Sequence, residues 1–327
     1  MNWWVTLWRG DCREAMPPME SASIDAVVTD PPYELGFMGR AWDASGIAYD
    51  VDVWRECLRV LKPGGYLLAF GGTRTYHRLA CAIEDAGFEI RDSIDWIYGT
   101  GFPKGKACLK PSHEPIVVAR KSAQRAAPLP GLDGCRVTGS VPVVPQSKFG
   151  GSNNNIRTAG RSGELSEAHG AGRWPPNVLL SGEAAAEMDR QSGITKSTGG
   201  SAPRASGDGY RFKAAPHANK GGLGDTGGAS RFFPVFRYEA KAPASQRPRL
   251  PDGTAHPTVK PLDLMRWLVR LVTPPGGTVL DPFAGTGTTG EACVLEGFRC
   301  VLIERDPVAA ELTHVRLSKP VQQCLIG

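Results

Sequence analysis

The sequence predicts an α/β fold: a doubly wound, mostly parallel sheet with helices on both faces. Three observations predict it. Short apolar runs alternate with helix-length segments over residues 5–119, the pattern of a layered α/β domain. The alternation stops in the middle of the chain and returns over residues 262–317. A G-x-G-x-x-G turn, Gly285 to Gly290, follows a strand candidate and opens a helix, as nucleotide-binding turns of such folds do.

The elements follow in order. Val5–Trp8 reads as a strand and Cys12–Met19 as a short helix. Ile24–Thr29 is an apolar run that must stop at Asp30-Pro31-Pro32-Tyr33, because two prolines continue neither a helix nor a central strand. Val53–Leu61 has helical spacing and ends at Lys62-Pro63-Gly64-Gly65, a strong break. Tyr66–Phe70 is the next strand, Tyr76–Ala86 the next helix, and Ile90–Tyr98 and Pro115–Ala119 are further strands. From about residue 122 to 255 the chain is rich in Gly, Ser and Pro, and only Asn177–Arg190 and the aromatic run Arg231–Tyr238 carry an ordered pattern. Leu262–Val272 is an amphipathic helix closed by Pro274-Pro275-Gly276-Gly277. Thr278–Leu280 is a strand leading into Asp281-Pro282-Phe283-Ala284-Gly285-Thr286-Gly287. A helix to about Glu296, a strand Cys300–Ile303 ending in Glu304-Arg305, and a last helix complete the pattern.

With 327 residues, 41% hydrophobic and 22% charged, the chain has the composition of an ordinary globular protein with ample core. Its apolar runs are too short to span a bilayer, and Met1-Asn2-Trp3-Trp4 opens no signal peptide. The eight cysteines form no C-x-x-C pair, so neither a disulfide framework nor a metal site is expected, and a reducing, cytoplasmic compartment fits. The net charge of +5 is uneven: residues 146–247 hold 14 Lys/Arg against 8 Asp/Glu, whereas the remainder holds 24 against 25. A positive middle segment suits a polyanionic partner, although a solubilised surface insertion has the same charge.

Two motifs carry chemistry. The glycine turn lets a ligand approach the backbone closely, and Glu304, at the end of the next strand, is placed to accept hydrogen bonds from a ribose diol. This pattern fits a nucleoside cofactor, NAD or S-adenosylmethionine alike. It is not a phosphate-binding P-loop, since Glu291 follows Gly290 where Lys is needed. The second motif is Asp30-Pro31-Pro32-Tyr33. An aromatic amine is a poor nucleophile because its lone pair is delocalised into the ring. A carboxylate and a rigidly held backbone carbonyl can accept its two N–H bonds and free that lone pair. A tyrosine ring beside them can stack on the base.

Together the motifs resemble the DNA amino-methyltransferases that modify adenine N6 or cytosine N4. His256-Pro257-Thr258-Val259-Lys260-Pro261 looks like that family's cofactor-flanking motif, and Gly10-Asp11-Cys12 resembles its motif at the preceding strand end. The catalytic motif comes first, the basic segment next and the cofactor motif last, an order similar to the circularly permuted beta group. The resemblance covers roughly residues 3–121 and 254–318. It implies a seven-stranded-type sheet in three parts: a catalytic half (1–121), an irregular target-recognition insert (122–253) and a cofactor half (254–327). It implies S-adenosylmethionine as cofactor, held by Asp11, Cys12, Asp30, His256, Thr258, Lys260, Asp281, Pro282, Phe283, Ala284, Gly285, Thr286, Gly287, Glu304 and Arg305. Catalysis falls to Asp30, Pro31, Pro32 and Tyr33, acting on a base flipped out of double-stranded DNA. Asp at position 30 is the form usual among adenine enzymes, so adenine N6 is favoured over cytosine N4. A bacterial or phage origin, a monomer or homodimer, and a paired restriction endonuclease are all compatible.

Candidate DNA contacts are Lys104, Lys106, Arg173, Trp174 and Arg231. Phe232, Phe233, Phe236 and Tyr238 read either as a base-stacking cluster or, preferably, as an apolar clamp on the main body. His113 reads as a strand-end residue. A methyltransferase of RNA or of a protein amide would place the cofactor motif first, and an NAD-dependent oxidoreductase explains only the glycine turn.

Overall fold

The computed structural model describes residues 4–36, 44–99, 109–123, 128–137, 172–196, 226–236, 248–255 and 259–318. Its strands are β1 (Val5–Arg9), β2 (Ile24–Thr29), β3 (Leu61–Phe70), β4 (Glu89–Ile97), β5 (His113–Arg120), β6 (Val178–Ser181), β7 (Thr195–Lys196), β8 (Thr226–Gly227), β9 (Val235–Phe236), β10 (Thr278–Asp281) and β11 (Arg299–Glu304). The helices are α1 (Cys12–Ala15), α2 (Val51–Val60), α3 (Tyr76–Asp85), α4 (Gly182–Ser192), α5 (Leu262–Val272), α6 (Thr288–Glu296) and α7 (Pro307–Leu317). One sheet runs β1-β11-β10-β2-β3-β5-β4-β6-β9. Every pairing in it is parallel except those of β5, which runs antiparallel to β3 and β4.

The alternation along each central strand builds two cores. Ala26, Val28, Tyr66, Leu68 and Phe70 face one layer with Leu264, Met265 and Leu268 of α5 and Ala292 and Cys293 of α6. Val27, Leu67 and Ala69 face the other, with Cys12, Val53, Trp54, Leu79 and Ile83 from α1, α2 and α3. The sheet is thus buried on both faces, as near-continuous apolar strands require. Local chemistry sets the helix starts. Asp11, Asp50, Ser181 and Asp306 each accept a backbone N–H at a helix N-terminus, and Pro307 occupies the first turn of α7.

Two expectations need correction. Helix α1 ends at Ala15, before Pro17-Pro18, rather than reaching Met19; neither proline has an N–H to continue the helical ladder. Lys62-Pro63-Gly64-Gly65 is not a break before a strand but a bulge inside β3: Ile24 pairs with Leu61 and Ala26 with Tyr66. The bulge fits because Gly64 takes φ +82° and a Cβ on Gly65 would stand 2.8 Å from the Asp25 carbonyl oxygen. The seven-stranded sheet of the body, β1-β11-β10-β2-β3-β5-β4, is present as expected, and β6 and β9 of the middle segment extend it beyond β4 to nine strands.

The described parts of that segment are tied to the body. Gly131 N–H donates to Leu271 O (3.0 Å), Trp267 Nε1 donates to Cys135 O (3.4 Å), and Asn177 Nδ2 donates to Asp92 (3.1 Å). Among the described residues, all six cysteines are free thiols, and no helix is long and apolar enough to cross a membrane.

Candidate active site

Strands β2 and β10 are parallel neighbours, with Ala26 opposite Val279 and Val27 opposite Leu280. The segments beginning at Asp30 and Asp281 therefore leave the carboxyl edge of the sheet side by side, where α/β folds bind ligands. Asp281 locks this junction. Its carboxylate accepts hydrogen bonds from Thr29 Oγ1 (2.6 Å), Thr289 Oγ1 (2.6 Å) and the Phe283 N–H (3.1 Å), joining β10 to β2 and α6. Burial pushes its pKa up to about 6 against the pull of those donors. Both oxygens are thus engaged inside the protein.

The glycine turn follows. Gly285 and Gly287 take φ +54° and +75°, the left-handed region that glycine enters without steric cost. A Cβ on Gly285 would meet nothing within 4 Å, so the backbone there borders open space. A Cβ on Gly287 would stand 2.7 Å from Thr313 Cγ2. Gly287 thus makes room for α7 as well as shaping the turn. Helix α7 braces the turn from beneath, through Thr313 Oγ1 to Gly285 O (2.8 Å) and Arg316 Nε to Thr286 O (2.7 Å). Arg316 also pairs with Glu291. Pro282, Ala284 and Thr286 are buried, and the Phe283 ring lies 6.3 Å from that of Trp54.

Glu304 ends β11 beside this turn. It accepts the N–H groups of Gly285 and Asp306, each at 2.7 Å. Burial raises its pKa to about 7, opposed by those two donors. Asp11, at the end of β1, is held by Arg13 through its backbone N–H (2.9 Å) and guanidinium (2.7 Å), and Arg305 approaches to 3.7 Å. The Arg13 hydrogen bond heads the causes that lower its pKa to about 2. Cys12 is buried in the core, and burial pushes its thiol up to about 12.

The catalytic candidates form a cluster with two more residues. Lys260 Nζ lies 2.6 Å from Asp30 Oδ2, 3.1 Å from the Tyr33 hydroxyl and 3.3 Å from Glu114 Oε2. The Tyr33 hydroxyl donates to Glu114 Oε2 (2.9 Å), and Thr75 Oγ1 donates to Tyr33 O (2.8 Å). Burial, with Asp30 and Glu114 adding to it, holds the Tyr33 pKa well above 10. Burial pulls Lys260 down, but the two carboxylates outweigh it and keep the ammonium charged. Asp30 Oδ1 is buried and has no hydrogen-bond partner among the described residues. A buried acceptor in this position has a lone pair to offer to a donor. Sequence reasoning placed Lys260 with the cofactor; here its ammonium touches the catalytic motif. It missed Glu114 altogether. The available signal was a carboxylate heading the apolar strand Pro115–Ala119.

A profile of the DNA methylase family, the N6/N4 methyltransferases, matches residues 24–314. The chain belongs to the DNA methylase family. Family members are S-adenosylmethionine-dependent adenine or cytosine methyltransferases. Among relatives, the Type II methyltransferase M.HpaI of Haemophilus parainfluenzae is 31% identical over 164 residues, 48% of this chain and 49% of that protein. The chain thus spans about half of that relative's length. The DNA adenine methyltransferase YhdJ of Escherichia coli K12 is 23% identical over 91% of this chain and 78% of its own. The solved cytosine-N4-specific PvuII DNA methyltransferase superposes with a TM-score of 0.52 at 16% identity, covering 97% of this chain and 87% of that one; at that identity the likeness is one of fold.

The remaining candidates of this family member lie elsewhere. His256, Thr258, Lys104 and Lys106 fall outside the described residues. Arg173 is only 8% exposed. Its guanidinium donates to Arg231 O (3.2 Å) and lies 4.7 Å from the Phe232 ring centroid. Arg231 covers the same ring at 4.2 Å and donates to Thr195, Gly227 and Gly228. Strands β6 and β9 run parallel to β2, so Arg173 and Arg231, which precede them, enter at the edge opposite Tyr33. Through these contacts both arginines brace the insert internally. Trp174 remains 62% exposed, with Arg136 stacked 4.3 Å from its ring centroid. Phe236 packs edge-on against Trp267 of α5 at 6.0 Å, the clamp rather than the base-stacking alternative.

Proposed function

We propose that this protein transfers a methyl group from S-adenosylmethionine to the exocyclic amino group of a base flipped out of double-stranded DNA, with adenine N6 as the target. The observation that carries the reading is the buried Asp30 Oδ1 beside Tyr33, without a partner among the described residues, at the end of a strand adjacent to the one that leads into the glycine turn, with open space over Gly285. The residues present fit the cofactor: a cradle that a side chain at 285 would fill, and a carboxylate, Glu304, fixed at its rim. When bound, S-adenosylmethionine supplies an electrophilic methyl group on sulfur.

The protein's own residues do the rest. Glu304 holds the cofactor ribose. Asp30 Oδ1 accepts one amino N–H, and the Pro31 carbonyl, stiffened by two prolines, accepts the other. The nitrogen lone pair is then free to attack, and Asp30 takes the proton that the nitrogen sheds. The Tyr33 ring stacks on the base. Catalysis here is mostly positioning and exclusion of water. The chain order, catalytic strand first and cofactor strand last, supports reading the fold as circularly permuted, with residues 122–253 as the target-recognition insert between the two halves. Its positive charge supports phosphate contacts. The end of β4 and the start of β5, between which Lys104 and Lys106 fall in the sequence, lie at the edge that carries Asp30, which supports a DNA contact for the two lysines.

Asp at position 30 and the adenine enzyme among the relatives support adenine N6. The test is to incubate plasmid DNA with the purified protein and S-adenosylmethionine, then sequence it by a method that reports modified bases. Modified adenine at one short recurring site supports the reading; unmodified DNA refutes it.

A further inference from the structure

We propose that Glu114 is a positioning residue for the transfer, acting through the Tyr33 hydroxyl and the Lys260 ammonium to fix the ring that receives the base and the carboxylate that receives its proton. The inference rests on the methyltransferase reading above and deepens it. The ammonium of Lys260 has three N–H donors, and its three oxygen partners are Asp30 Oδ2, the Tyr33 hydroxyl and Glu114 Oε2. The Tyr33 hydroxyl, accepting from Lys260, donates its own hydrogen bond to Glu114 Oε2 at 2.9 Å. The second oxygen, Oε1, lies 3.5 Å from the Tyr98 hydroxyl. Glu114 thus closes a ring of hydrogen bonds that starts and ends on the catalytic motif.

This ring has two consequences. The Tyr33 ring is pinned at its far end by the hydroxyl, while Thr75 pins its backbone carbonyl. Asp30 has one oxygen committed to Lys260, and the other, Oδ1, has no partner among the described residues. Glu114 lies on β5, the strand beyond β3 from Asp30. No step of the transfer requires it to touch the cofactor. Its removal should therefore loosen Tyr33 and let Lys260 lean wholly on Asp30, slowing turnover without weakening cofactor binding.

The experiment is a double-mutant cycle on the full-length protein, with tritiated S-adenosylmethionine and DNA carrying the mapped site. Glu114→Ala should lower kcat about 10- to 100-fold and leave the KM for S-adenosylmethionine unchanged, the pattern of an interaction lost in the transition state. Glu114→Gln, which can still accept from Tyr33, should recover most of that loss; a merely structural role predicts no such split. Because Glu114 acts through the hydroxyl, its substitution should add little in a Tyr33→Phe background. Should Glu114→Ala fail to fold, Glu114→Leu, which keeps the side-chain volume but cannot accept from Tyr33, tests the same coupling in the two backgrounds. Strictly additive losses, or an unchanged kcat in a folded Glu114→Ala protein, would overturn the proposal. A wild-type protein that transfers no methyl group would overturn the underlying reading, and this inference with it.

Discussion

Glu304 is the group on which cofactor binding should turn, and its titration makes that visible. In the ligand-free protein its pKa is raised to about 7 by burial, whereas ribose hydroxyls require the ionised carboxylate as acceptor. Binding then expels a proton, and affinity rises with pH until the group is ionised. If only the carboxylate form binds, the apparent Kd is multiplied by about 11 at pH 6 and about 1.1 at pH 8, roughly a tenfold tightening. The α-amino group of the ligand titrates near pH 8, so the informative quantity is the difference between wild type and Glu304→Gln. The glutamine keeps an acceptor but cannot ionise, and its slope should lack the wild-type component. Glu304→Ala also strips the acceptor from the Gly285 and Asp306 N–H groups. It should weaken binding by about 1.5–3 kcal/mol, the range for hydrogen bonds to a charged group. Isothermal titration calorimetry in buffers of differing ionisation enthalpy reads both affinity and proton release. Equal pH slopes and equal affinities in the three proteins would place the ribose elsewhere.

Further outcomes follow from the same geometry. Asp30→Asn should abolish turnover yet keep cofactor and DNA binding, checked by single-turnover transfer and by filter binding. Tyr33→Trp should outperform Tyr33→Ala, whose stacking loss is about 1–3 kcal/mol, and Tyr33→Phe should fall between wild type and Ala because its hydroxyl bridges Glu114 and Lys260. Gly287→Ala presses on Thr313 and should lower stability by about 1–3 kcal/mol in urea titration. Gly285→Ala should instead lose cofactor affinity, since its methyl enters the open space of the turn. Exchanging residues 122–253 for the corresponding segment of a relative should change the methylated sequence but not the methylated atom, read by sequencing; an unchanged site would assign recognition to the α/β body.

The elements legible in the sequence are those bounded by local stops. Ile24–Thr29 ends at two prolines and is β2 to the residue; Leu262–Val272, followed by a Pro-Pro-Gly-Gly break, is α5 to the residue. The juxtaposition of β2 and β10 was also readable, because both motifs end strands of a parallel sheet. What escaped depends on contacts far apart in the chain. The bulge at Lys62–Gly65 is stabilised from the neighbouring strand, where Asp25 pairs with Lys62 (2.7 Å). A two-residue strand such as β9 has no periodicity to detect. Glu114 is separated by 81 residues from Tyr33 and by a far longer stretch from Lys260, so nothing local announces the cluster. Arg173 and Arg231 carry the charge of phosphate contacts, but their direction of entry is set by the strands that follow them, and charge alone does not report it.

The central claim is the transfer of a methyl group to an exocyclic amine, with adenine as the base. Unmodified DNA containing the mapped site, methylated by the purified protein with deuterated S-adenosylmethionine, can be digested to nucleosides and analysed by mass spectrometry. The account predicts N6-methyldeoxyadenosine carrying the deuterated methyl group. N4-methyldeoxycytidine as the dominant product would contradict the adenine assignment, and label on a ring carbon, or none at all, would contradict the chemistry assigned to Asp30.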